Sequence, residues 1–122
     1  MHMLSTQQAI NFARNWINAW NSHDLNCILE YYTDDFEMTT PFMIKFMNHP
    51  TGTLKGKDTI KPYWEKALRL IPNLKFQLIE VLSSVDSISI YYQAILGKRG
   101  VEVLFLNPNG RIYKSVAHFN SI

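Results

Sequence analysis

Apolar residues recur every three or four positions through the first half of the chain and every second position through the rest, which predicts helices first and strands after them. Ala9, Phe12, Ala13, Trp16, Ile17 and Trp20 share one helical face, so an amphipathic helix is predicted over about 6 to 21. Ser5 with Gln8 three residues on has the form of a capping box, in which each side chain satisfies a backbone N–H left free by the first turn. A shorter period through Leu25, Ile28, Leu29 and Tyr32 follows, with Asp24 placed to cap it. The third period, Ile60, Tyr63, Trp64, Ala67, Leu68 and Ile71, stops at Pro72. Pro62 is harmless there if the helix starts at Asp58, because its missing N–H then falls within the first turn.

After Pro72 the period falls to two. Leu74, Phe76 and Leu78 begin one strand, and 87–96, 101–107 and 111–119, rich in β-branched and aromatic residues, predict three more; a fifth is predicted at 36–40. Gly97-Lys98-Arg99-Gly100 and Pro108-Asn109-Gly110 supply turn residues between them, so neighbouring strands are expected to pair as antiparallel hairpins. The pattern implies an α+β fold, three amphipathic helices on a curved antiparallel sheet, with room for a small, largely apolar molecule. No repeat or low-complexity linker divides the chain, so 1–122 is expected to be a single domain.

Composition narrows the function classes. A net charge of +2 with scattered Lys and Arg disfavours a nucleic-acid surface. The single Cys27 cannot form an internal disulfide and is expected in the core, which suits a cytoplasmic protein. The start of the chain, Met1-His2-Met3-Leu4-Ser5, lacks the features of a signal peptide, and no apolar run approaches a membrane span, so no membrane partner is expected. His2, His23, His49 and His118 are isolated, without metal-ligand spacing; no nucleophile elbow or phosphate loop is present, and neither a metal nor a cofactor is implied. Asp34-Asp35 suits a turn before a strand, and Glu37 is expected to face away from Phe36 and Met38.

The runs Trp16-Ile17-Asn18-Ala19-Trp20-Asn21-Ser22-His23-Asp24-Leu25, Tyr31-Tyr32-Thr33-Asp34-Asp35-Phe36-Glu37-Met38 and Gly56-Lys57-Asp58-Thr59-Ile60, in this order and followed by Asn109-Gly110-Arg111-Ile112, resemble the SnoaL-like branch of the nuclear-transport-factor-two-like superfamily. The resemblance covers nearly the whole chain and implies a cone whose bent sheet and helices enclose a pocket. The superfamily includes ketosteroid isomerase, but its fold also hosts dehydratases, cyclases, hydrolases and binding modules, so the site must decide the function. At the place of the isomerase's oxyanion-binding Tyr stands Trp16, and at the place of its general base, before Pro41, stands Thr40, which cannot shuttle a proton as a carboxylate does. Its two supporting tyrosines correspond to Tyr32 and Trp64. Its late-strand acid corresponds to Glu102, the one candidate catalytic residue.

The resemblance also points Tyr113, Ser115, Ala117 and Phe119 toward the pocket and His118 away from it. The candidate ligand-contacting set is Trp16, Trp20, Tyr32, Met38, Thr40, Tyr63, Trp64, Leu104, Ser115 and Phe119. The aromatic stripe among them reads equally as cavity lining or as plain core, and three indoles in one small core need three hydrogen-bond partners or access to water. Phe42, Met43, Ile44, Phe46 and Met47 read either as a cover over the pocket or as a short helix packed on the core. Three functions are compatible with these readings: binding of a small apolar or aromatic molecule; a cofactor-free isomerase, lyase or cyclase using Glu102 for proton transfer; and an interaction module with a vestigial cavity. Val101, Val103 and Phe105 alternate with Glu102 and Leu104, so an apolar outer strip is expected to be covered by a homodimer.

Overall fold

The computed structural model describes residues 4–122; the expectations that rest on Met1–Met3, including the isolation of His2, lie outside the described residues. Helix α1 spans Thr6–Ser22 and begins in the capping box, with the Gln8 N–H donating to Ser5 Oγ (3.0 Å) and the Ser5 N–H to Gln8 Oε1 (2.9 Å). Its buried face carries Ala9, Ala13, Trp16, Ile17 and Trp20. Helix α2, Leu25–Leu29, is capped by Asp24, which accepts from the N–H groups of Asn26 and Cys27. Cys27 is exposed and not in the core, because α2 turns only Ile28 and Leu29 inward.

Strand β1 covers Tyr32–Thr39 and starts earlier than the apolar alternation suggested, so Asp34 and Asp35 lie within it and not in a turn before it. Helix α3, Pro41–Met47, makes a fourth helix of the apolar run, and β2, Thr53–Lys55, is a short strand between Gly52 and Gly56. Helix α4 spans Lys57–Leu70. It starts one residue before the expected Asp58, leaving Pro62 in the second turn, where the Asp58 carbonyl loses its N–H partner. Both residues are exposed, so water reaches that side of the helix. Strands β3 (Gln77–Ser83), β4 (Ser87–Gln93), β5 (Arg99–Leu106) and β6 (Ile112–Phe119) complete the fold.

The six strands form one sheet in the order β2-β1-β6-β5-β4-β3. Four of its pairings are antiparallel, as the hairpin turns require, but β1 and β6 pair in parallel, so the sheet is mixed. The chain between those two strands is long enough for the crossover that a parallel pair needs. Helix α1 packs on β3 and β4, and α4 on β1 and β2, which closes the helices over one face of the sheet. Gly97 and Gly110, at φ 72° and 79°, make the turns on either side of β5. The β5–β6 register shifts between Phe105 and Leu106, and the bulge corrects one expectation: Tyr113 turns outward and is 42% exposed, while Ile112 takes the buried place. Among the described residues no helix is long and apolar enough to cross a membrane.

Candidate functional site

Between the helices and the inner face of the sheet lies a cavity of about 390 Å³, a volume within the range typical of small-molecule sites. Helix α1 contributes Trp16 and Trp20, β1 contributes Tyr32 and Met38, and α4 contributes Tyr63, Trp64, Ala67 and Leu70. Phe76 precedes β3, Tyr92 comes from β4, Glu102 from β5, and Ala117 and Phe119 from β6. Thr40 and α3 residues Phe42, Met43, Phe46 and Met47 line another side, and Ile95 and Leu96 come from the short 3-10 turn after β4. No Lys, Arg or His among the described residues lines the cavity.

The aromatic wall is interlocked. Trp16 stacks on Phe76 (centroids 5.8 Å apart) and meets Tyr92 edge-on (5.6 Å), while Trp64 meets Trp20 at 4.9 Å and Tyr32 at 5.0 Å. Two of the three indoles have partners inside the protein: Trp16 Nε1 donates to the Tyr32 hydroxyl at 2.9 Å, and Trp64 Nε1 to Met38 Sδ at 3.1 Å. Trp20 Nε1 is buried with no hydrogen-bond partner among the described residues.

Glu102 is the one carboxyl group in the lining. Alternation along β5 turns Glu102, Leu104 and Leu106 inward together, and the cross-strand neighbourhood of β4 supplies Tyr92, whose hydroxyl donates to Glu102 Oε1 at 3.1 Å. Burial disfavours the carboxylate and pushes its pKa from the ordinary 4.5 up to about 7, against the opposing pull of the Tyr92 hydrogen bond. Burial, with the nearby Glu102 charge, also raises the hydroxyl pKa values of Tyr32 and Tyr92. Among the described residues Glu102 is thus the one lining group whose pKa is pushed to about 7, held in a largely apolar shell.

Residues 13–113 match the SnoaL-like domain family. The chain belongs to the SnoaL-like family. It is 40% identical to a SnoaL-like protein of unknown function from Burkholderia thailandensis E264, whose crystal structure superposes with a TM-score of 0.92 over 98% of this chain and 99% of that one. A SnoaL-like protein from Agrobacterium tumefaciens strain C58, described as a candidate isomerase, shares 18% identity at a TM-score of 0.74 over 95% of this chain and 100% of that one. SalBIII, described as an epoxide hydrolase/cyclase-like enzyme in pyran ring formation in the polyether salinomycin, shares 15% at 0.71, over 94% and 92%. At those identities the last two comparisons show the fold alone. A comparison with curated proteins gives no match.

In this SnoaL-like chain the structure brings Trp16, Trp20, Tyr32, Met38, Thr40, Tyr63, Trp64, Phe119 and Glu102 into the lining of one cavity. It leaves two of the sequence candidates out: Leu104 and Ser115, paired across β5 and β6, are fully buried one step beyond Glu102 and Ala117 and do not reach the cavity. Alternation specifies which face a strand residue joins, not how deep along the strand the cavity extends. The Trp16 N–H is already engaged by Tyr32, and Thr40 Oγ1 accepts from the Phe42 N–H (3.4 Å) as the cap of α3. Asp34 is paired at the surface with Lys57 (3.5 Å), and Glu37 lies 4.0 Å from Lys114. The residue that sequence reasoning missed is Tyr92. It shares the buried face of β4 with Ile88 and Ile90, and an inward Tyr needs a partner for its hydroxyl.

Proposed function

We propose that this protein binds a small, largely apolar or aromatic molecule in the cavity between its helices and sheet. The observation that carries this reading is the lining itself: an aromatic and aliphatic wall around about 390 Å³ with a single carboxyl group. A packed core leaves few voids larger than a water molecule, so an unfilled space of this size supports a ligand site. The test is thermal unfolding in the presence of a panel of neutral aromatic and alicyclic compounds, alongside Ala117→Phe, which adds a ring to the cavity wall. A binding compound raises Tm by several degrees in the native chain through linkage and raises it much less in the variant. A panel without any shift in the native chain refutes the reading and restores that of an interaction module with a vestigial cavity.

A second reading is supported by the position of Glu102, a buried carboxyl group on the cavity wall whose pKa burial pushes up to about 7. A carboxyl group poised at the working pH suits general acid–base catalysis, as in a cofactor-free isomerase, lyase or cyclase. Turnover that disappears in Glu102→Gln separates this reading from binding alone. The binding reading also includes a homodimer. Val101, Val103 and Phe105 face away from the helices and remain partly exposed, an apolar strip on the outer sheet face that a two-fold partner would cover.

A further inference from the structure

Buried acids are ordinarily paired with a cation or saturated with hydrogen bonds. Glu102 is neither. Its Oε1 accepts from Tyr92, and no second hydrogen bond to it is made among the described residues. Both ion pairs of the described residues, Lys57–Asp34 and Lys114–Glu37, lie on other parts of the molecule. Among the described residues the carboxyl group thus stands on the cavity wall without a counter-charge, beside space that a ligand can fill.

The aromatic part of the wall can add to the attraction for a cation. Trp16, Trp20, Tyr32, Trp64, Phe76 and Tyr92 line the cavity, and the faces of such rings carry the negative lobes of their quadrupoles. A cation near them is attracted, and more strongly where water is excluded. An anion meets the reverse of both effects.

We propose that the ligand is a lipophilic amine, with its ammonium group against the free side of the Glu102 carboxylate and its apolar body against the aromatic wall. The inference rests on the cavity-binding reading and names the ligand class for that site. The ammonium supplies the missing counter-charge and Tyr92 continues to satisfy Oε1, so the buried pair is hydrogen-bonded on both oxygens, the condition under which an interior ion pair offsets its desolvation.

The proposal fixes the sign of the pH dependence. Glu102 shares the cavity with three other titratable side chains, Tyr32, Tyr63 and Tyr92, and with no Lys, Arg or His among the described residues. The hydroxyls of Tyr32 and Tyr92 are pushed further above neutrality and stay protonated. An amine requires the carboxylate, so its affinity rises with pH through about 7 and falls again only where the amine itself loses its proton. A neutral ligand that accepts a hydrogen bond requires the protonated acid, so its affinity runs the opposite way.

Calorimetric titration of the full chain with 1-naphthylmethylamine, 1-naphthylmethanol and 1-naphthoic acid tests this, since the three share a ring system and differ in the charge of the head group. At pH 8 the amine is expected to bind at least about tenfold tighter than the alcohol, with the acid weakest, as cation–π and ion-pair attraction require. Its Kd should weaken roughly thirtyfold from pH 8 to pH 5.5, the ratio of the carboxylate fractions for a group titrating near 7. Near pH 7, titrations in buffers of different ionisation enthalpy should report release of about half a proton per amine bound.

Glu102→Gln should bring amine and alcohol to within about twofold of each other. Tyr92→Phe keeps the carboxyl group but removes the bond that favours its charged form, so the midpoint of the amine's pH profile should move upward. An alcohol that binds as tightly as the amine at pH 8, or tightens as the pH falls, overturns the inference and leaves the cavity-binding reading standing. Failure of all three compounds to bind at any pH overturns both.

Discussion

Glu102 gives the fold a pH dependence of calculable sign. The carboxyl titrates at about 7 in the folded chain and near its ordinary 4.5 in the unfolded one, so between those values the folded state holds a proton that the unfolded state has lost. Its contribution to stability is fully present below 4.5 and is lost as the pH rises through the folded pKa. At 1.36 kcal/mol per pH unit the whole loss is about 3 kcal/mol, of which about 2.5 falls between pH 5 and pH 8. Glu102→Gln keeps the size and the hydrogen bond to Tyr92 but does not titrate. Urea unfolding of both chains at the two pH values isolates the effect, because every other titrating group cancels in the double difference. The native chain should lose about 2.5 kcal/mol more than the variant on going from pH 5 to pH 8. Profiles that stay parallel to within about 0.5 kcal/mol would show that Glu102 is solvated or paired in the folded state, and both the buried-acid account and the proton-transfer reading would fall.

Other parts of the structure are equally open to measurement. Tyr32→Phe removes the acceptor of the buried Trp16 N–H and should cost about 1–3 kcal/mol in urea unfolding at pH 7; unchanged stability would mean the indole has another acceptor. Gly100→Ala should cost about 1–3 kcal/mol by overpacking. The added Cβ would stand 2.9 Å from both the His118 carbonyl oxygen and the Phe119 ring, and a thermal midpoint equal to that of the native chain would contradict that geometry. Sedimentation at micromolar concentration should give about twice the 14.2 kDa chain mass, and Val103→Lys should return it to the monomer value; a monomeric native chain argues against the outer-face dimer.

What the sequence revealed and what it concealed divide along the range of the interaction. Ser5 with Gln8 and Asp24 before Leu25 mark helix starts because a cap is made within three or four residues. The inward turn of Glu102 was legible for a similar reason, since the alternation of β5 is uninterrupted from Gly100 to Leu106. The inward place that the resemblance implies for Tyr113 fails at a bulge that only the pairing with β5 reveals. Free cysteines are among the most buried residue types, but the inner face of α2 holds only Ile28 and Leu29 and leaves Cys27 exposed. The partnership of Tyr92 with Glu102, the sheltering of Trp64 Nε1 by Met38 and the parallel pairing of β1 with β6 all join distant segments. No local pattern encodes such meetings. For the aromatic stripe, the structure shows that lining and core are not exclusive: Trp16 and Tyr32 are almost wholly buried and still form part of the cavity wall.

The place of β6 in the sheet has a consequence for how the chain is made. β6 lies between β1 and β5, so it alone joins the β2-β1 edge to the β5-β4-β3 meander. During synthesis the meander can form hairpin by hairpin, since each of its pairings joins neighbouring strands. The other edge has no seat until Phe119 has left the ribosome. Until then β1 and β5 both present open ladders, and the apolar inner faces of α1 and α4 have only part of the sheet to cover. Completion of the sheet is therefore a late event of high sequence separation, the kind of pairing whose loop-closure entropy must be met before its contacts reward it.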